Sequence, residues 1–394
     1  MQKRERIQSG NTFDITAKTI LGLEELLAEE IRNAGGSQTE VIHRGVKFKG
    51  SKEVLYACNY TCRTALRFLK PQWEFSASSD TELYNRCLKL PWDMLMGLEN
   101  TFAIDGAVFN SGITHSMYAA LKTKDAIADF FRNKYGRRPS VNTDNPDIRF
   151  NIHINRNKVT ISLDSSGSSL HLRGYKVSPG NAPLSEVLAS GLIMLSGWDG
   201  ETTFVDPMCG SGTLLTEAAM ITCKVPAGYF RKSFGFEGWK DFDPALWRSV
   251  KEKADGKRCD ATARIIGGDK SSLAMRSTRK NVSSTGLDKF ISLHPTAFEK
   301  LERPEGPVHI LLNPPYGERI KTDDIIALYK QIGDTLKQNY QDAEAWIISG
   351  DMKAVKFVGL RPSKKIRIFN GPIECRFMKY ELYAGSKKAK KSEL

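Results

Sequence analysis

Thr203-Phe204-Val205-Asp206-Pro207-Met208-Cys209-Gly210-Ser211-Gly212-Thr213 is the stretch that decides the fold. A short apolar run ends in an acid, a Gly-x-Gly turn follows, and a helical pattern containing Glu217 comes next. Strand, tight turn and helix in that order open a doubly wound α/β sheet, where ligands bind outside the carboxyl ends of the strands. Two glycines let the backbone approach a ligand closely. The turn lacks the Gly-Lys-Ser/Thr of a phosphate loop and the third glycine of the dinucleotide fingerprint, so a nucleoside triphosphate or NAD is a poor fit. The Asp206 carboxylate suits a cationic amine better than a phosphate.

Outward from this turn, strands over 203–206, 265–269, 291–294, 309–312, 345–349, 365–369 and 373–382 alternate with helices and predict a parallel sheet. The last two strands face each other across Asn370-Gly371-Pro372, an antiparallel finish. Gly267-Gly268-Asp269 closes the second strand with another acid. Alone, Asp269 would more often cap a helix over 271–284. An acid one strand after acid-Gly-x-Gly instead favours hydrogen bonds to ribose hydroxyls. After the fourth strand comes Asn313-Pro314-Pro315-Tyr316-Gly317-Glu318-Arg319. The prolines stiffen the turn and remove two N–H donors, which leaves a site rich in acceptors. The Asn313 carboxamide oxygen and the Pro314 carbonyl can take hydrogen bonds from an exocyclic amine, and Tyr316 offers a face to a planar base.

Before residue 165 the pattern differs. A strand over 12–18, a helix over 21–33 and a hairpin over 41–49 form a small α+β unit. A helix over 51–60, a strand over 65–73, a helix over 81–90, a strand over 101–109, a helix over 123–135 and strands over 149–154 and 159–163 extend it into an antiparallel sheet. A Gly/Ser/Pro-punctuated connector follows.

The 394 residues carry 58 Lys+Arg against 45 Asp+Glu, a formal +13, which favours a polyanionic partner, nucleic acid first. Basic candidates for holding an RNA backbone are Lys134, Arg137 and Arg138 after a helix, Arg173 and Lys176 in the connector, Arg231 and Lys232, and Arg319 beside the Asn-Pro-Pro-Tyr turn. The stretch 230–239, FRKSFGFEGW, reads equally as a mobile substrate loop or a packed connection. Seven cysteines without a CxxC pair and six histidines without metal spacing suggest a reduced compartment and no metal. No apolar run reaches the roughly 18 residues of a membrane span. The opening MQKRERIQSG has no signal-peptide character, and a cytoplasmic location without membrane attachment is expected.

Together, DPMCGSGT, the acid of GGD and NPPYGERI resemble a class I S-adenosylmethionine (SAM) methyltransferase of the amino-methylating group. With the connector HLRGYKVSPGNAPLSEVLASGLIMLSGW, the chain is similar to the bacterial ribosomal RNA guanine-N2 methyltransferases that carry a THUMP domain, some of which are described as N6-adenine-specific DNA methylases. The resemblance spans nearly the whole chain and is most specific over 171–217 and 308–320. It implies a ferredoxin-like segment over 1–65, a THUMP RNA-binding domain over 66–165, a linker and leading helix over 166–200, a methyltransferase domain over 201–385 and a basic tail over 386–394. It also implies SAM as methyl donor, held by Asp206, Pro207, Met208, Cys209, Gly210, Ser211, Gly212, Thr213, Asp269 and Asn313, with Asn313–Tyr316 at the target amine. RNA is the implied partner, 23S ribosomal RNA or a pre-ribosomal particle, and N2 of a guanine the implied target. Relatives can carry a second methyltransferase module behind this one, and these 394 residues end before one. Where relatives place an acid for the SAM adenine, this chain has Thr296-Ala297-Phe298-Glu299, which leaves that contact open. The alternatives are adenine-N6 methylation of DNA or RNA, and a non-catalytic RNA-binding or assembly protein. Intact acids and glycines at the cofactor turn argue against the last.

Overall fold

The computed structural model describes residues 12–178, 184–316 and 322–383. The chain begins β1 (Phe13–Thr19), α1 (Glu24–Asn33), β2 (Ser37–Ile42), β3 (Gly45–Gly50), α2 (Lys52–Thr61), β4 (Ala65–Ser76) and α3 (Asp80–Leu88). It continues with β5 (Phe102–Phe109), α4 (Ser116–Tyr135), β6 (Ile148–Asn155), β7 (Lys158–Asp164), α5 (Glu186–Ser196), β8 (Thr203–Asp206), α6 (Thr213–Thr222) and α7 (Pro244–Asp255). It closes with β9 (Ile265–Gly268), α8 (Ser272–Ser283), β10 (Ile291–His294), β11 (Val308–Leu312), α9 (Thr322–Asn339), β12 (Glu344–Ser349), β13 (Lys364–Asn370) and β14 (Ile373–Glu381). Two compact units divide these elements.

The first unit holds the described residues up to Thr19, Leu27–Leu172 and Arg231–Ala254. Its seven strands pair in the order β2-β3-β1-β4-β7-β6-β5. Alternation builds it: β1 buries Ile15, Ala17 and Thr19, and β6 buries Ile148, Phe150, Ile152 and Ile154, while Thr16, Lys18, Asn151 and His153 point to the other face. One pair departs from the antiparallel expectation, since β5 runs parallel to β6 with α4 between them in sequence. The α4 helix also starts at Ser116, well before the expected 123. Its first two turns leave Met117 and Leu121 exposed and bury small or polar residues, Ala119 and Thr123, so apolar periodicity gives no signal there.

The stretch 231–239 is a packed connection within this unit. Phe234 and Phe236 are buried, with the Phe236 ring stacked 4.2 Å from Tyr56 and edge-on to Trp247 at 5.1 Å. The Arg231 guanidinium donates to the carbonyls of Ser166, Ser168, Ser169 and Leu172. Arg231 is therefore committed to holding a loop, which corrects its candidacy as an RNA contact.

The second unit holds Ile20–Leu26, Arg173–Phe230 and the described residues from Asp255 onward. Residues 231–254, which lie between the last two parts of this unit in sequence, cluster with the first unit. The sheet order is β10-β9-β8-β11-β12-β14-β13, parallel through β12, with β14 antiparallel to both β12 and β13. Every residue of β9 and β11 is buried, as parallel strands covered on both faces require. On one face Tyr329, Ile332 and Leu336 of α9 pack with Ile310, Leu312 and Ile347. Among the described residues no helix is long and apolar enough to cross a membrane, and no group of three or more His, Cys, Asp or Glu could hold a metal ion.

Candidate active site

Strand β8 lies between β9 and β11, all three parallel, so the sheet delivers three loop starts side by side at its carboxyl edge. These are the turn after Asp206, Asp269 after β9, and Asn313 after β11. A cavity of about 440 Å³ opens at that edge. Asp206 through Ser211, Thr213, Asp269 and Asn313 through Tyr316 line it, and Gly212 alone of the proposed cofactor and catalytic residues does not.

The turn is tied from both sides. The Cys209 amide donates to the Gly268 carbonyl at 2.9 Å, and the Gly210 amide to Asp269 Oδ2 at 3.0 Å. From α8, Thr278 Oγ1 donates to the Gly210 carbonyl at 2.7 Å and Asn281 Nδ2 to the Ser211 carbonyl at 3.1 Å. Gly210 (φ +56°) and Gly212 (φ +81°) sit in the left-handed region, and a Cβ on Gly212 would come within 2.8 Å of the Thr278 methyl. The turn therefore needs glycine for conformation at both positions and for space at the second. Asn281 is fully buried, and its Oδ1 also accepts from the amides of Val177 and Ser178. Sequence reading missed Thr278 and Asn281; their signal was polar residues at i, i+3 on the buried face of an amphipathic helix.

Asp206 is 1% exposed and accepts one hydrogen bond, from the Met208 amide at 3.3 Å. Burial, with the nearby Asp269 carboxylate adding to it, pushes its pKa up to about 8. A buried carboxyl held this way favours a cation that enters beside it. Asp269 Oδ1 accepts from the Ser271 amide at 2.8 Å, while Ser271 itself caps α8, so Asp269 bridges the two loops and is not the cap.

Beneath the turn a polar network corrects two sequence expectations. The Arg173 side chain is 1% exposed and its Nε lies 3.6 Å from Glu217, which also accepts from Tyr175 Oη at 3.0 Å and from Ser190. A guanidinium enclosed in this way is not an RNA contact. Lys176 pairs with Glu186 at 3.2 Å and donates to the Leu184 carbonyl, so its charge too is spent within the unit. Arg319 lies outside the described residues. In the first unit, Lys134 pairs with Asp93 at 2.6 Å and Arg137 with Glu99 at 3.1 Å on the surface, and Arg138 is exposed with no ion pair among the described residues.

At the other end of the cavity Asn313 Oδ1 is buried without a hydrogen-bond partner among the described residues, and beside the glycine turn Thr213 Oγ1 is likewise without one. Unpaired buried acceptors are costly, about 1–3 kcal/mol each, and mark a place for a ligand donor or water. Tyr316 is 8% exposed; its ring lines the cavity and its hydroxyl accepts from Asn370 Nδ2 at 2.8 Å. Of the residues considered for the adenine contact, Ala297, Phe298 and Glu299 reach the cavity and Thr296 does not.

A doubly wound sheet of order 3-2-1-4-5-7-6, with an acid-Gly-x-Gly turn after its first strand and Asn-Pro-Pro-Tyr after its fourth, defines a class I methyltransferase. Residues 173–379 match the RMKL-like methyltransferase domain, residues 77–164 the THUMP domain and residues 14–69 the RlmL ferredoxin-like domain. A Synechocystis protein named as an RNA methyltransferase, slr0064, is 37% identical over 95% of this chain and 98% of its own. The ribosomal RNA large subunit methyltransferase K/L of Syntrophotalea carbinolica is 36% identical over 92% of this chain, which spans about half the length of that relative. Among solved structures, the methyltransferase SMU.472 in complex with SAH superposes with a TM-score of 0.85 at 28% identity, covering 95% of this chain and 99% of its own. The chain belongs to the RMKL-like methyltransferase family.

Proposed function

We propose that this enzyme transfers a methyl group from SAM to the exocyclic N2 of a guanine in RNA, with large-subunit (23S) ribosomal RNA or its assembling particle as substrate. The observation that carries the reading is Asn313 Oδ1, a buried acceptor without a partner among the described residues, in the cavity whose other end holds Asp206 and the glycine turn.

The residues present fit SAM. Buried Asp206, once it gives up its proton, suits the methionine ammonium, the glycine turn leaves room for the methionine part, and half-buried Asp269 suits ribose hydroxyls. When bound, SAM supplies an electrophilic methyl on a sulfonium. The protein's own task is positioning, and well-oriented reactants gain roughly 7–11 kcal/mol of barrier reduction without acid–base help. An aromatic amine is a weak nucleophile because its lone pair is delocalised into the ring. Asn313 Oδ1 and the Pro314 carbonyl accept from the two N–H bonds, turn the lone pair toward the methyl and stabilise the positive charge that develops on nitrogen. That charge is relieved when the proton leaves to water. Tyr316, with its hydroxyl fixed by Asn370, supplies the ring against which the base packs.

RNA rather than DNA is favoured by the THUMP match and by the names of the relatives. Lys134, Arg137 and Arg138, clustered at the end of α4 within the THUMP match, are the surface charges proposed for the backbone. The base must leave its stack to reach the cavity, at a cost of a few kcal/mol in a duplex and less in a loop. The test is transfer of tritiated methyl from SAM to ribosomal RNA, transfer RNA and DNA from cells lacking the gene. Label in large-subunit RNA is expected, and label confined to DNA would overturn the reading.

A further inference from the structure

The hairpin turn between β13 and β14 brings a residue into the cavity that the proposed chemistry leaves unused. Asn370 lines the same cavity as Asn313 and Tyr316, and it is half-buried. Its Nδ2 donates to the Tyr316 hydroxyl at 2.8 Å. That bond fixes the carboxamide, and it leaves Oδ1 with no hydrogen-bond partner among the described residues. A carboxamide has two N–H donors and one carbonyl oxygen, and with one N–H committed to Tyr316 the carbonyl oxygen stays available as an acceptor.

We propose that Asn370 is a specificity-determining residue, whose Oδ1 accepts the N1–H of the target guanine. This rests on the reading of guanine N2 as the target. A guanine entering amine-first presents two adjacent donors, the N2 amine and N1–H. Asn313 and Pro314 meet the first, and Asn370 meets the second. An adenine presenting its N6 amine carries a bare N1 lone pair beside it, which Oδ1 repels. The Asn-Pro-Pro-Tyr turn serves either base, and position 370 is where the two part. Because its donor holds Tyr316, Asn370 also sets the angle of the ring on which the base packs.

The test uses one RNA that the wild-type enzyme methylates, made with guanine or with 2-aminopurine at the target position. 2-Aminopurine keeps the 2-amino group, replaces N1–H with a lone pair and lacks O6, so the loss of preference in the Asn370 variant, not the wild-type preference alone, reports on N1–H. A site built to satisfy a donor rejects the analogue that lacks it. The wild-type enzyme is expected to prefer guanine in kcat/KM by at least about tenfold, roughly 1.4 kcal/mol. Asn370→Ala should lose that preference to within about twofold while binding SAM with an unchanged Kd, which shows that the variant is folded. Asn370→Asp keeps an acceptor and should retain the preference for guanine. Undiminished preference in Asn370→Ala would overturn the proposal and leave guanine methylation standing. Failure of the wild-type enzyme to form N2-methylguanosine in any RNA would withdraw the guanine reading itself, and this proposal with it.

Discussion

The two ends of the cavity are built on opposite plans. At the cofactor end most polar groups are already engaged, Thr213 Oγ1 excepted: the turn's amides and carbonyls are held by Gly268, Asp269, Thr278 and Asn281, and Glu217 beneath them is enclosed by Arg173, Tyr175 and Ser190. At the target end Asn313 Oδ1 stands without a partner among the described residues, and the Tyr316 hydroxyl is held by Asn370 Nδ2. The difference matches two tasks. A turn that wraps a recurring ligand gains from being rigid before the ligand arrives. An acceptor that must take hydrogen bonds from a reacting amine has to be kept free for it, at a cost in stability.

Predictions that break or sharpen this contrast differ in size. The largest concerns the support beneath the cofactor end. Arg173→Ala leaves Glu217 without its buried cation, and losing one partner of a buried pair costs about 3–5 kcal/mol. A fall in Tm of roughly 10 °C is expected by calorimetry, and a variant melting with the wild type would show that the pair carries no structural load. Next comes the pH dependence of SAM affinity. Asp206 is displaced upward to about 8 in the free protein, so a cation that needs its carboxylate binds less well as pH falls below 8. Affinity should drop by up to about tenfold per pH unit, with proton release on binding at pH 7 visible by calorimetry in buffers of different ionisation heat. Asp206→Asn should abolish that dependence. The same group works in the other direction on stability. The unfolded carboxyl titrates near its ordinary value, so between there and about 8 the native state holds the extra proton, and stability from this group declines as pH rises.

At the target end, Tyr316→Phe keeps the ring but removes the hydroxyl that holds Asn370. Single-turnover transfer should fall about 3- to 10-fold with SAM affinity unchanged; a loss of SAM affinity instead would place Tyr316 in the cofactor half. The smallest effect is expected in the other unit. Arg138→Ala should weaken RNA binding about two- to threefold and reduce the salt slope by about 1. An unchanged slope would remove Arg138 from the interface.

The sequence reading reached the catalytic sheet through its loops. Asp206, Asp269 and Asn313 follow strands whose apolar runs are unmistakable, and parallel topology then forces them to one edge. It misjudged Arg173, Lys176 and Arg231, because a basic residue in a polar connector looks the same whether it faces solvent or a buried carboxylate or carbonyl. It also gave no sign that residues 231–254 cluster with the first unit. The aromatic run Phe234, Phe236 and Trp239 signals burial, but not that the burial lies against Tyr56 and Tyr60, more than 170 residues earlier. Asn281, Thr278 and Asn370 stayed hidden because their roles depend on tertiary hydrogen bonds that no local pattern encodes.

The most direct test of the division between the two ends is single-turnover methyl transfer by Asn313→Ala saturated with SAM, alongside its SAM Kd. The account predicts a rate lower by about 10²–10³, a Kd within twofold of wild type, and residual product that is still N2-methylguanosine by nucleoside mass spectrometry. Wild-type turnover by this variant would contradict the account, because the buried oxygen of Asn313 would then have no part in presenting the amine.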